Sequence, residues 1–304
     1  VRRPEGVAQE QTWTIKAILD WTSGYLERKD DEHPRLSAEW LLSAVTGLSR
    51  VELYVNFDRP LDAEELSNMH NAIERRAQGE PLQYVTGEMP FRHIVVKCER
   101  GVLIPRPETE ILVDAALEGI DEAKACGEDA SPLVLEVGTG TGCIALSLAS
   151  ERPDTKVIAT DLSDRALSLA QRNCAALGLE NDVTLIQCDL AAGVDPELMG
   201  SFDVLVSNPP YIPTAVLAQE VPAEVRDYEP ELALDGGADG LDVFRRLLEL
   251  APKALAPHGM FTVELFEESL EQAAELVRMQ DGWEDVEIRE DLTHRPRVLV
   301  AKRK

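Results

Sequence analysis

Apolar and polar positions along this chain follow two different periods, and the change falls near residue 85. Before that point the spacing is helical. Trp13, Ile18 and Leu19 open one apolar stripe, and Leu41, Leu42, Val45 and Leu48 form another at separations of three and four. Asp62-Ala63-Glu64-Glu65 reads as a capping box, with a helix running from it through Ile73 to about Arg76. Gly79 and Pro81 stop that helix. Residues 1–85 are therefore expected to form a small helical bundle. Residues 86–104 predict a β-hairpin, with turns at Gly87, Pro90 and Gly101 and strand residues at Ile94, Val95, Val96, Val102, Leu103 and Ile104. Pro107-Glu108-Thr109-Glu110 then opens a helix. Proline suits its first turn, and the acidic side chains meet the positive end of the helix dipole.

From Leu133 onward short apolar runs alternate with helical stretches. Residues 133–137, 156–160, 183–187, 202–206 and 260–264 read as strands, and 143–149, 164–177 and 241–255 as helices. That alternation predicts a largely parallel sheet covered by helices on both faces. Residues 283–288 and 297–301 are expected to add an antiparallel edge pair, and the Gly/Ala/Asp-rich stretch 121–131 reads as a surface loop.

Composition narrows the class. The 304 residues, 44% hydrophobic and 28% charged, suit a soluble globular chain of one large domain or two smaller ones. Thirty Lys and Arg against 56 Asp and Glu leave a net charge of −26. Such a chain repels a polyanion, because non-specific nucleic-acid binding depends on Lys and Arg, so no direct nucleic-acid partner is expected. The same charge also serves solubility or a salt-rich cytoplasm. The five cysteines, Cys98, Cys126, Cys143, Cys174 and Cys188, are odd in number and none lies in a C-x-x-C pair. Neither a disulfide framework nor a zinc site is expected, and a reducing, cytoplasmic setting fits. The five histidines are scattered, so no metal is expected. No apolar run reaches membrane-spanning length, and Val1-Arg2-Arg3-Pro4 lacks the apolar stretch of a secretory signal.

Three motifs carry chemistry. Leu135-Glu136-Val137-Gly138-Thr139-Gly140-Thr141-Gly142 sits where a strand turns into a helix, the place where open α/β sheets bind ligands. Its spacing is G-x-G-x-G. Cys143 stands where a dinucleotide fingerprint needs its third glycine. A ligand without a pyrophosphate, such as S-adenosylmethionine, is expected, with Glu136, Gly138, Thr139, Gly140, Thr141 and Gly142 as the candidate loop. Asp161, at the end of the second strand, can accept hydrogen bonds from ribose hydroxyls, or it caps the helix beginning near Asp164. Asp189, at the end of the third, can accept from an adenine amino group, or is an ordinary turn residue.

The third motif is Ser207-Asn208-Pro209-Pro210-Tyr211, after the fourth strand. Two prolines fix φ and donate no hydrogen bond, so the turn is stiff and its carbonyls are free to face a cleft. Asn208 offers an amide oxygen, Pro209 a carbonyl and Tyr211 a ring. Together they suit a planar NH2 group, one N–H to each oxygen and the ring stacked on its plane. An amide nitrogen is a poor nucleophile because its lone pair is delocalised. Two acceptors placed for a pyramidal nitrogen favour release of that lone pair and remain to receive the lost proton.

These motifs, in this order, resemble the release-factor glutamine methyltransferases, the HemK/PrmC family. The resemblance covers most of the chain. It also rests on 79–84 followed by Thr86-Gly87, on 101–110, which is very similar to the signature ahead of the family's catalytic domain, and on Glu229-Pro230, Ala233-Leu234 and Gly236-Gly237-x-Asp239-Gly240-Leu241. It implies a seven-stranded, Rossmann-like class I methyltransferase domain in α/β style over 105–304, a partner-recognising helical domain over 1–85 and a linking hairpin over 86–104. It implies S-adenosylmethionine-dependent N5-methylation of the glutamine in the Gly-Gly-Gln loop of class 1 release factors. Gly138, Gly140, Gly142, Asp161 and Asp189 would hold the cofactor, with Asn208 beside it. Asn208 through Tyr211 would hold the glutamine. Arg106, Glu108 and Thr109 would line or order the cleft, or brace their helix. The chain departs from the family at Glu264-Leu265-Phe266-Glu267, where Glu-Ile-Gly and a nearby Gln are usual, and at Phe91-Arg92-His93, where an aromatic-glycine pair is usual. The rival readings are a ribosomal-protein glutamine methyltransferase and an adenine-N6 nucleic-acid methyltransferase. The latter shares the Asn-Pro-Pro-Tyr loop but would call for a basic cleft rim.

Overall fold

A computed structural model describes residues 12–126 and 131–304. The chain forms two compact units that part between Thr86 and Gly87.

The first unit is helical: α1 (Ile15–Glu27), α2 (Pro34–Thr46), α3 (Arg50–Val55), α4 (Ala63–Ala77) and α5 (Leu82–Thr86). The Asp62 box forms as expected, and Ser49 with Glu52 makes a second that sequence reading missed. Ile15, Leu19, Leu41, Leu42, Leu53 and Met69 fill its core.

The second unit begins with the hairpin β1 (Glu88–Phe91) and β2 (Ile94–Lys97) and continues with α6 (Thr109–Cys126). Then β3 (Leu133–Val137), α7 (Cys143–Glu151), β4 (Lys156–Asp161), α8 (Asp164–Leu177), β5 (Val183–Gln187) and β6 (Phe202–Ser207) follow in alternation. Two short helices, α9 (Thr214–Gln219) and α10 (Ala223–Tyr228), precede α11 (Asp242–Ala254), β7 (Leu255–Glu264), α12 (Leu270–Arg278), β8 (Trp283–Glu290) and β9 (Pro296–Arg303). The large sheet has seven strands in the order β5-β4-β3-β6-β7-β9-β8. Its first five are parallel, and β9 and β8 complete it in antiparallel fashion.

Successive strand residues point to opposite faces, and the core divides accordingly. Val134, Val204, Val206 and Met260 pack with α6, α7 and the hairpin. Leu135, Leu205, Phe261 and Val263 pack with α11 and α12.

Three expectations need correction. Pro90 is not a turn residue: it lies in β1, level with Val95, and the hairpin turns at Arg92 and His93. Val102, Leu103 and Ile104 are not strand: Val102 packs between Ala166 and Leu169 of α8, so its burial comes from a helix and not from a ladder. The expected loop at 121–131 is helix as far as Cys126, held by Asp121 to Arg152 at 2.7 Å and Glu122 to Lys302 at 2.9 Å; residues 127–130 lie outside the described residues. The hairpin departure has a physical reason. Arg92 adopts the left-handed φ of 50° that glycine usually takes. Its guanidinium is held by Glu151 at 2.6 Å and Asp114 at 2.8 Å, while Phe91 beside it is fully buried.

Candidate active site

The order of connections places the site. The chain runs from β3 outward to β4 and β5, then returns to the other side of β3 as β6 and β7. The crevice at such a reversal is where open sheets bind ligands. Val137 is level with Thr160 on one side and Ser207 on the other. The residues that follow these three level positions therefore meet: Gly138, Asp161 and Asn208. A Cβ added to Gly138 would lie 3.9 Å from the Asn208 carbonyl oxygen. The Ser207 hydroxyl donates to the Val137 carbonyl at 2.7 Å and ties the two strand ends.

One cavity of about 220 Å³ joins the glycine bend to the proline turn. Of the predicted residues, Gly138, Gly140, Asp161, Asp189, Asn208, Pro209 and Pro210 line it. Glu136, Thr139, Thr141, Gly142 and Tyr211 are not among its lining. Glu136, Thr139 and Thr141 are buried and build the bend from behind. Gly142, with φ 85°, is the N-cap of α7 and leaves room for Leu146, 3.0 Å from where its Cβ would be.

Asp161 spans the crevice. Its Oδ2 accepts from the Gly140 N–H at 2.9 Å and its Oδ1 from the Ser163 N–H at 2.8 Å. Burial pushes its carboxyl up, against these N–H groups. The cap of α8 is Ser163, whose side chain accepts from the Ala166 N–H, so Asp161 is spared that task. Asp189 is paired with Arg246 of α11 at 2.6 Å on the cavity rim. Leu103, Leu162, Ala166 and Val243 supply apolar wall, and Leu162 is 56% exposed. A half-buried carboxylate beside an uncovered apolar wall and a bend without side chains is a donor set that fits a nucleoside, the diol on Asp161 and the base on the wall. Leu162, Arg246 and Leu232, which also lines the cavity, were missed from sequence. Only Leu162 carried a signal, an apolar residue directly after a strand-ending aspartate.

Glu136 is fully buried, its Oε2 accepting from the Thr139 hydroxyl at 2.7 Å and its Oε1 unpartnered among the described residues. Burial pushes its carboxyl up to about 7, and the Asp161 charge adds to that. The folded protein thus holds a proton that the unfolded chain has already lost between about pH 4.5 and 7, so stability falls as pH rises through that window. Glu136→Gln is expected to gain on wild type between pH 5 and 8, by up to roughly 3 kcal/mol in denaturant unfolding. A difference that does not change with pH would mean the carboxyl is charged throughout.

The proline turn is clamped from outside. The Ile212 N–H donates to the Leu234 carbonyl at 2.9 Å, and the Gly236 N–H to the Ile212 carbonyl at 2.8 Å. Gly240, at φ 75°, passes so close that a Cβ there would lie 2.3 Å from the Tyr211 carbonyl oxygen. Gly240→Ala is expected to cost about 1–3 kcal/mol, through overpacking and a backbone angle that alanine disfavours. An unchanged melting temperature would show that the turn yields. Within the turn, the Asn208 Nδ2 donates to the Thr109 hydroxyl at 3.1 Å. No other side-chain bond of Asn208 is seen among the described residues, which leaves Oδ1 as an acceptor. No backbone N–H among them is bonded to the Pro209 carbonyl. The Tyr211 hydroxyl donates to the Glu264 Oε1 at 3.1 Å. Glu229, also buried, accepts from the Ile104 N–H at 3.1 Å and pairs with Arg106, which braces 101–110. Among the described residues no cluster of His, Cys, Asp or Glu is placed to hold a metal, and no helix is long and apolar enough to cross a membrane.

Comparisons with known proteins agree with this geometry. Residues 17–87 match the PrmC N-terminal domain, and residues 122–225 the methyltransferase small domain. A release factor glutamine methyltransferase of Geobacter sulfurreducens is 47% identical over 255 residues, covering 84% of this chain and 85% of that protein. One from Rhodopirellula baltica is 37% identical over 97% of this chain and 98% of its own length. Among solved structures, the hMettl16 catalytic domain in complex with a MAT2A 3′UTR hairpin aligns with a TM-score of 0.54 at 17% identity, over 78% of this chain and 80% of that one. That likeness is one of fold, the Rossmann-like class I methyltransferase fold expected above.

Proposed function

This chain belongs to the release factor glutamine methyltransferase family and is an S-adenosylmethionine-dependent methyltransferase; on that premise we propose that it methylates N5 of the glutamine in the Gly-Gly-Gln loop of class 1 release factors. The observation that carries this reading is the single cavity lined by both the glycine bend with Asp161 and the Asn208-Pro209-Pro210 turn. When bound, S-adenosylmethionine supplies an electrophilic sulfonium methyl. Gly138, Gly140 and Asp161 hold its nucleoside side, with Asp189 at the rim, and Glu136, Thr139, Thr141 and Gly142 keep the bend in shape. Asn208 Oδ1 and the Pro209 carbonyl accept the two amide N–H groups, orient the nitrogen, and favour the pyramidal geometry in which its lone pair is released. The proton lost after transfer departs along one of these hydrogen bonds to solvent, since a neutral carbonyl guides it but does not keep it. Pro210 stiffens the turn and Tyr211 supplies the ring. Alignment and electrostatics do most of the work, which asks for no strong base. Residues 1–85 serve partner recognition, 86–104 the link and 105–304 the transfer.

The test offers the protein labelled S-adenosylmethionine with purified release factors, ribosomal proteins, DNA and RNA. Label is expected on release-factor glutamine. Label in nucleic acid would replace this reading with adenine-amino transfer, and label in a ribosomal protein would move the substrate within the glutamine class.

A further inference from the structure

The order of the strands sets out the parts of the cofactor along one line. From the proline turn after β6 the sheet runs through β3 to β4 and then to β5. The sulfonium belongs with the glycine bend after β3, beside Asn208, and the diol with Asp161 at the end of β4. Asp161 is level with Gln187, and the Cys188 N–H donates to the Asp161 carbonyl at 3.1 Å. Asp189 therefore stands one strand farther out than the ribose carboxylate, at the end of the cavity that is left for the base. Helix α11 closes that end, bringing Val243 and, one turn later on the same face, Arg246 to the wall.

Arg246 Nη2 donates to Asp189 Oδ2 at 2.6 Å, and both side chains are half exposed. A pair so open to water adds little to the stability of the fold. What it does is set an acceptor and a donor side by side. A guanidinium carries five N–H groups in one plane and a carboxylate two acceptor oxygens, so a single bond between them leaves both with capacity to spare. Among the described residues no other hydrogen bond is made by either side chain. The edge of adenine has the converse order, an amino N–H next to N1 as acceptor. Hypoxanthine has a carbonyl in place of the amino group and a proton on N1. It would set acceptor against acceptor and donor against donor. The Leu190 N–H, free of any backbone bond among the described residues, is the competing donor, but it is neutral and not tied to the carboxylate.

We propose that Arg246 is a specificity-determining residue for the cofactor: tied to Asp189, it donates to N1 of the adenine while Asp189 accepts from the amino group. This rests on the use of S-adenosylmethionine alone and stands whichever acceptor takes the methyl group. Arg246 has no part in the transfer itself.

The test is calorimetric and needs no turnover. Wild type and Arg246→Ala are titrated with S-adenosylhomocysteine, with its 1-deaza analogue, in which C–H replaces N1, and with S-inosylhomocysteine, in which the base is hypoxanthine. Wild type is expected to bind the 1-deaza analogue on the order of 10-fold more weakly than S-adenosylhomocysteine, the scale of one lost hydrogen bond to a charged group. It is expected to bind S-inosylhomocysteine on the order of 100-fold more weakly, because both partners are then opposed. Arg246→Ala is expected to bind S-adenosylhomocysteine on the order of 10-fold more weakly than wild type and no better than it binds the 1-deaza analogue. That equality separates donation to N1 from a merely structural role, in which Arg246 would steady Asp189 and the 1-deaza penalty would persist. Arg246→Met, which keeps the aliphatic length, answers the same question if the alanine variant does not fold. Equal affinity of wild type for S-adenosylhomocysteine and the 1-deaza analogue overturns the proposal. So does a variant that keeps the full 1-deaza penalty, which would hand the donor's role to the Leu190 N–H. These two results leave the cofactor itself in place; only a wild type that fails to bind S-adenosylhomocysteine would remove both.

Discussion

Asn208→Ala is expected to bind S-adenosylmethionine as wild type does and to lose methyl transfer by roughly 10²- to 10³-fold, the usual effect of removing one aligned polar group from a developing charge. Asn208 sits at the junction of two demands. Its backbone continues β6 against β3, where Ser207 is level with Val137, so truncating the side chain leaves the sheet alone. The side chain gives its NH2 to Thr109 and keeps its oxygen. Alanine removes that oxygen and leaves the Pro209 carbonyl as the one remaining acceptor for two N–H groups. The loss should fall on kcat, because the alignment matters most where the nitrogen becomes pyramidal. Transfer at near wild-type rate, measured with saturating cofactor, would remove Asn208 from the chemistry.

Asp161→Ala is expected to do the opposite. Cofactor affinity, measured by calorimetry, should weaken on the order of 10- to 100-fold, the range of a lost hydrogen bond to a charged group. The carboxylate has two jobs: it faces the cavity, and it holds the Gly140 and Ser163 N–H groups. Asp161→Asn separates them. Its one amide oxygen can still hold the Gly140 N–H, but the charge that would accept a diol is gone. If both variants bind as wild type does, the ribose is held elsewhere. If alanine weakens binding and asparagine does not, Asp161 acts through the bend alone.

The fold was legible where period and length agreed. The runs in β3, β4, β5 and β6 are apolar, five or six residues long and separated by turn residues or a helix, so few other structures suit them. Short elements were not legible. The helices α3, α5, α9 and α10 have five or six residues each and take their stability from neighbours, so their own composition says little. Val102 to Ile104 misled because apolar and β-branched residues bury equally well against a helix, and 121–126 because Gly127 and the acidic residues after it gave the whole stretch the composition of a loop, although Ala123 and Ala125 favour helix and Asp121 and Glu122 are secured by Arg152 and Lys302 from distant segments. At the site the same division holds. Gly138, Asp161 and Asn208 lie at the ends of strands or directly after them, and strand ends can be counted along the chain. Thr109 and Arg246 reach the site from α6 and α11, and no spacing in the sequence joins them to it.

The clamp around Ile212 and Gly240 has a consequence for which proteins can be modified. A turn sewn down along the 234–240 segment is not expected to mould itself to a visitor. The accommodation is then expected to come from the incoming polypeptide, so that a glutamine borne on a slack, thin-backed bend is methylated faster than the same side chain on a helix. Selectivity of this kind is a matter of mechanical compliance, and short acceptor peptides of graded stiffness would rank themselves by it.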